Sequence, residues 1–190
     1  MPATPSQTVG PFFAHALPYE HDWELVPERH PEAITLTGRV WDGAGEPVPD
    51  ALLELWLGRT GDRGALRRGD GGVSGFGRCA TDPDGRYRFR TIRPSGPYLS
   101  LQIFARGLLR SVLTRVYLED LPDPLLDGLD PARRATLLAT GKGGTPTSST
   151  YACRAKGRRC SLTSDDTPRH RVGGVPALPP GVLVLPPAVR

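Results

Sequence analysis

The sequence predicts an all-β domain: a two-sheet sandwich with an N-terminal arm and one short helix. Three observations predict it. Apolar and polar residues alternate in short runs, as in Ile34-Thr35-Leu36-Thr37, Tyr87-Arg88-Phe89-Arg90 and Leu99-Ser100-Leu101-Gln102, the period of strands with one buried face. Gly (23) and Pro (21) punctuate those runs, as turns do between the strands of a sandwich. A chain of 190 residues is one domain, large enough to bury its own core.

Each element follows from local chemistry. Pro2, Pro5 and Pro11 rule out a continuous ladder over residues 1–13, and Gly10-Pro11 sets a turn, so this stretch is an arm. Residues 14–33 carry His15, His21 and His30 among prolines and read as a surface loop. Residues 34–40 alternate as a strand and Asp42-Gly43-Ala44-Gly45 turns it. Ala51 to Trp56 is more continuously apolar, which places it centrally in a sheet. Residues 58–75 form a glycine- and arginine-rich loop without a period, and 76–80 form a short strand. Thr81-Asp82-Pro83-Asp84-Gly85 is a tight turn: Pro83 fixes φ and Gly85 accepts a positive one. Residues 86–92 form a strand with Tyr87, Phe89 and Thr91 on one face and Arg86, Arg88 and Arg90 on the other. Leu99–Ile103 and Val112–Val116 are strands flanking a turn that bears Arg106 and Gly107, and Tyr117 opens an acidic loop. Residues 122–130 read as loop. Asp130 then caps a helix that has Pro131 at its first position. The predicted organisation is an arm and loop at 1–33, a sandwich core at 34–140 and a tail at 141–190.

Charge separates the tail from the rest. Residues 1–140 carry 16 Arg and 18 acidic residues, a balance of −2. Residues 141–190 carry six Arg, two Lys and two Asp, a balance of +6. The overall +4 therefore does not describe the folded part, and no aromatics interleave with the strand arginines to stack bases. Those arginines read as a solvated or subunit-facing stripe. Cys79, Cys153 and Cys160 have no disulfide-framework spacing, and Cys79 reads as a core residue rather than a nucleophile. No apolar run reaches the length of a membrane span, and no basic segment precedes an apolar one at the N-terminus. The expectation is a soluble protein of a reducing cytoplasm.

Four stretches, in order, carry a resemblance: Thr4-Pro5-Ser6-Gln7-Thr8-Val9-Gly10-Pro11-Phe12-Phe13, ITLTGRVWDGAGEPVPDALLELW, FGRCATDPDGRYRFRTIRP, and IFARGLL followed by TRVYLED. Over most of residues 4–139 the chain resembles the alpha subunits of intradiol ring-cleavage dioxygenases. The resemblance implies an intradiol-dioxygenase-type β-sandwich and an alpha–beta assembly that converts protocatechuate and O2 into 3-carboxy-cis,cis-muconate. A different class stays open beside it: a stand-alone β-sandwich binding module with a transthyretin-like strand order. TDPDGRYRF suits such modules equally well, whereas the PSQTVGPFF arm and FARGLL do not.

The resemblance also implies where iron would be. Catalytic members hold Fe(3+), a hard cation suited to phenolate and imidazole, with two Tyr and two His. The histidines come as His-X-His on the strand that here begins Tyr98-Leu99-Ser100, so Tyr98 and Ser100 occupy their positions. Tyr98 can alternatively be aligned with the second tyrosine. The first would fall near Thr60-Gly61-Asp62-Arg63-Gly64, where no Tyr occurs. The expectation is no metal ligand and no catalytic residue in this chain, with Fe(3+) held by a homologous beta subunit. By resemblance, Thr8, Gly10, Pro11 and Arg106 contribute to the substrate pocket. Gly10 permits close backbone approach, Pro11 stiffens it, Thr8 offers a hydroxyl, and the Arg106 guanidinium matches the carboxylate of an aromatic acid. Arg110 and Arg115 read as structural or interfacial.

The tail breaks the pattern, because residues 141–190 have no period and one aromatic, Tyr151. Alpha subunits of the family end on two more strands of the form YxFDxRxQGEGETVFFD. Back-translating Pro146 to Asp165, and reading each triplet from the third base of one codon, permits YVFDVRLQGQGETVFFDV and a stop across Ser164 and Asp165. The expectation is a frameshift between about Ala139 and Pro146, which removes the last two strands and leaves a disordered basic tail.

Overall fold

A computed structural model of the chain describes residues 10, 12–58, 72–142, 150–152 and 182–184. After a single helical turn, α1 (Phe13–Ala16), come β1 (Ile34–Trp41), β2 (Leu52–Trp56), β3 (Phe76–Ala80), β4 (Arg86–Thr91), β5 (Leu99–Phe104) and β6 (Val112–Val116). They are followed by α2 (Pro124–Asp127), α3 (Pro131–Leu137), β7 (Thr140–Lys142), β8 (Thr150–Ala152) and β9 (Val182–Val184). One sheet runs β3-β2-β5-β6 and is antiparallel throughout. The other runs β4-β1-β8-β7, with β9 also on β1.

The alternation works as expected. Leu53, Leu55, Leu99, Leu101 and Ile103 from one sheet meet Ile34, Leu36, Val40, Tyr87 and Phe89 from the other in a single core. At about 25 cal/mol per Å² of apolar surface removed from water, this interlayer is the main stabilising term. β2 is central, between β3 and β5, as its continuous apolar character predicts. Gly85 takes φ 72, and the Asp42 turn is tied by its Oδ1, which accepts from the Ala44 and Glu46 N–H groups. Asp130 caps α3, accepting from Ala132 N and Arg133 N.

Two segments differ from expectation. Residues 14–33 are not simply a surface loop, because Leu25 (0%) and Val26 (1%) are buried. The Asp22 carbonyl accepts from Arg78 N of β3 at 2.6 Å, while Trp23 O and Leu25 N bond Arg90 of β4 at 3.0 and 2.8 Å. This segment thus closes the seam between two sheets along their edge strands, leaving few unpaired backbone groups there. Residues 122–130 are not all loop either. Asp123 caps α2 just as Asp130 caps α3, and Leu126 is fully buried. In the tail, β8 pairs with β1 in parallel at Thr35–Thr37 and β9 at Arg39–Trp41. They lie end to end along the edge of β1 that β4 leaves open.

Candidate functional site

Three places in the described structure bear on function. The first is the outer face of the β3-β2-β5-β6 sheet around Tyr98 and Ser100. The register aligns Phe76, Trp56, Ser100 and Arg115 in one row across four strands. The Ser100 hydroxyl donates to the Gly58 carbonyl at 2.9 Å. The Arg115 guanidinium lies over the Tyr98 ring, 4.1 Å from its centroid. It also donates to Tyr117 Oη at 3.2 Å and Asp123 Oδ1 at 3.3 Å, and Tyr117 donates to the same carboxylate at 3.0 Å. Burial alone would raise the Asp123 carboxyl; the Leu125 N–H, the Tyr117 hydroxyl and Arg115 together outweigh it and hold it below the ordinary value. Burial pushes the Tyr117 hydroxyl up, so it stays a neutral donor.

This chemistry does not suit a ferric ion. A cation already lies against the face of Tyr98, and like charges repel strongly at short range. Ser100 is a neutral hydroxyl committed to a backbone carbonyl. Among the described residues no group of three or more His, Cys, Asp or Glu could hold a metal.

The second place is the β5–β6 turn. Gly107 adopts φ 83, which lets Arg106 stand at the rim with 60% of its side chain exposed. There its guanidinium forms an ion pair with Asp50 on the β1–β2 connection.

The third is the root of the N-terminal arm. Gly10 has φ 78, the conformation the Gly-Pro reading requires, and a Cβ there would meet nothing within 4 Å. Phe13 is buried. Arg78 of β3 donates to the Leu17 carbonyl at 3.0 Å and grips Glu54 Oε1 with Nε at 3.1 Å and Nη2 at 2.6 Å. Thr8 and Pro11 lie outside the described residues.

The arginine stripe of β4 is fully engaged. Arg86 pairs with Asp84, Arg90 pairs with Glu24 at 3.1 Å, and Arg88 and Arg90 stack on Trp23 at 4.0 and 4.8 Å. An aromatic does reach that face, brought by the seam segment rather than by the strand, and guanidinium groups cover it. Cys79 is buried in the core, where burial also pushes its thiol up, the setting of a packing residue. A shallow cleft of about 640 Å³ runs between Arg93–Pro97 and Leu118–Pro122 and contains none of the predicted residues. The sequence reading missed two groups: the Arg115–Tyr117–Asp123 clasp and the Arg78–Glu54 fork. Only the clasp left a signal, since Asp123-Pro124 repeats the capping pair Asp130-Pro131.

The two packed sheets define the chain as a β-sandwich protein, with Tyr98 and Ser100 both engaged by protein groups on its outer face. The comparisons agree with that class. A family model described as Dioxygenase matches residues 8–116. The protocatechuate 3,4-dioxygenase alpha chain of Burkholderia cepacia is 35% identical, over 72% of this chain and 82% of that one. The alpha chain of the same enzyme from Pseudomonas putida is 32% identical, over 73% and 84%. Among solved structures, the dioxygenase domain of a dioxygenase–carbohydrate-binding fusion from Streptomyces sp. SirexAA-E superposes with a TM-score of 0.50 at 28% identity, covering 80% of this chain and 97% of that domain. The chain belongs to the intradiol dioxygenase family.

Proposed function

We propose that this chain is the alpha, non-iron-binding subunit of a protocatechuate 3,4-dioxygenase. Fe(3+) is held by a homologous beta subunit, and the assembly inserts O2 into protocatechuate to give 3-carboxy-cis,cis-muconate in aromatic catabolism. The observation that carries this is the state of the ligand positions: Tyr98 lies under the Arg115 guanidinium and Ser100 is bonded to Gly58, in a chain otherwise similar to alpha chains. The stand-alone binding-module reading has no use for the alpha-chain likeness. No helix among the described residues is long and apolar enough to cross a membrane.

Within that assembly Thr8, Gly10, Pro11 and Arg106 contribute to the partner's pocket, with Arg106 meeting the substrate carboxylate. The exposed position of Arg106 on a sharp turn supports this, with Asp50 holding the guanidinium until substrate competes for it. The test is to purify the chain alone and with a beta chain. Ferric tyrosinate absorbs visible light, so the chain alone with added Fe(3+) stays colourless and inactive, and the pair is coloured and turns over protocatechuate. Stoichiometric iron and turnover in the chain alone would overturn the proposal.

The tail belongs to the same proposal. Residues 141–190 are read out of frame, and the intact subunit continues as YVFDVRLQGQGETVFFDV. The β1 edge supports this. It takes two separate three-residue parallel segments in series, from Thr35 to Trp41, where one alternating strand such as YVFDVRL would run the whole edge.

A further inference from the structure

Beside the buried Phe13, one cation ties the root of the N-terminal arm to the sandwich. Arg78 lies on the outer face of β3 with 19% of its side chain exposed, and Glu54 beside it with 12%. Nε and Nη2 of Arg78 both reach Glu54 Oε1, while Nη1 reaches the carbonyl of Leu17, the C-cap of α1. That carbonyl belongs to the last turn of a helix, where acceptors lack intrahelical donors. Phe76 supports the guanidinium at 5.3 Å, and Trp56 packs on Phe76 with centroids 4.6 Å apart. The seam segment that follows the arm also meets the same residue through the main chain, since Arg78 N donates to Asp22 O. A planar guanidinium presents donors along two edges at once, and an ammonium does not. One edge is fixed to the sheet, so the other holds the arm at a set height and angle.

We propose that Arg78 is a positioning residue for the N-terminal arm: it fixes the root of the arm at Phe12–Leu17, and through that root it supports what the arm contributes to the partner's pocket. The second half of this rests on the proposed role of the arm, and the first half does not.

The experiment uses the full chain assembled with its beta partner, as wild type, Arg78→Lys, Arg78→Met, a deletion of residues 1–11, and the deletion combined with Arg78→Lys. Chymotrypsin cleavage after Phe13 reports the anchor directly, because Phe13 is buried and becomes accessible only when the root of the arm loosens. Arg78→Lys keeps a cation beside Glu54 but loses the second edge. It is expected to raise that cleavage rate about tenfold, the scale of losing one charge-assisted hydrogen bond, with melting temperature and iron content unchanged. In kinetics with protocatechuate, Arg78→Lys raises KM, and the combined variant is no worse than the deletion alone, because both act through the arm. Additive losses mean that Arg78 does not work through the arm, and they overturn the pocket half. If the deletion alone leaves turnover intact, the proposed role of the arm fails and takes the pocket half with it. Cleavage then decides the anchor half: wild-type rates in both Arg78 variants overturn it, and an accelerated rate sustains it. Should Arg78→Met fail to fold, Arg78→Lys carries the cleavage test.

Discussion

Leu25 sits in the space that a side chain at Gly77 would need: a Cβ on Gly77 would lie 2.3 Å from Leu25 Cδ1 and 3.1 Å from the Asp22 carbonyl. Gly77 lies on β3 opposite Leu55, so the seam segment closes only because the strand has no side chain there. Gly77→Ala is expected to destabilise the domain by about 1–3 kcal/mol through overpacking, and Leu25→Ala by about 2–5 kcal/mol through a cavity. The double variant should cost less than the two singles together, because the sites touch. Thermal unfolding of the three variants checks this; strict additivity would show that the two residues do not share the space.

Asp123 gives the fold an acid dependence. Its carboxyl is held below the ordinary 3.8 by the Leu125 N–H, Tyr117 and Arg115 against the opposing effect of burial. A depressed folded value means that the stabilisation is complete above the ordinary value and is lost as pH falls through the lowered one. Asp123→Asn should therefore cost about 1–3 kcal/mol at neutral pH and flatten the loss of stability below about pH 4. Denaturant unfolding at pH 7 and pH 3 measures both. An equal acid response in wild type and variant would remove Asp123 from the cause.

Arg106→Ala in the alpha–beta complex is expected to weaken saturation by the carboxylated substrate about tenfold, on the scale of one charged hydrogen bond, with iron content intact. Asp50→Asn should move KM the opposite way, because it releases the guanidinium. Wild-type KM in both variants would place Arg106 outside the pocket.

Deleting residues 1–11 should harm turnover more than it harms this chain's fold, since the buried anchor Phe13 and the seam residues Leu25 and Val26 remain. Circular dichroism and kinetics on the same sample separate the two. Loss of folding along with activity would make the arm structural.

Resequencing the gene from codon 135 past codon 165 decides the tail. The expected third bases spell the shifted strands, and a chain rebuilt with them should melt higher than the present one and assemble better with the beta partner. Third bases that forbid the shifted peptide would leave the present tail as the true one.

Much of this was legible in the sequence. Alternation is a strong signal wherever one face is buried, which is why β1, β4 and β5 lie where residues 34–40, 86–92 and 99–103 predict them. The seam was hidden because Leu25 and Val26 are only two apolar residues among prolines and histidines, and their burial depends on Gly77 more than fifty positions away. α2 was hidden by its length: Asp123-Pro124 carries the start signal, but four residues are too few to show a helical period. Arg115 could be placed on a strand, but its stacking on Tyr98 depends on the register between β5 and β6, which no local pattern states. Arg78 is hidden in the same way, with its arm partner 61 residues away.

The seam also has a kinetic side. Residues 22–26 are synthesised early, yet every backbone partner they have in β3 and β4 comes later in the chain. Such long-range closure costs loop entropy before it returns any contact. Leu25 and Val26 thus leave the ribosome well before they can settle, and until β4 has formed they remain exposed to water, to chaperones and to one another on neighbouring nascent chains.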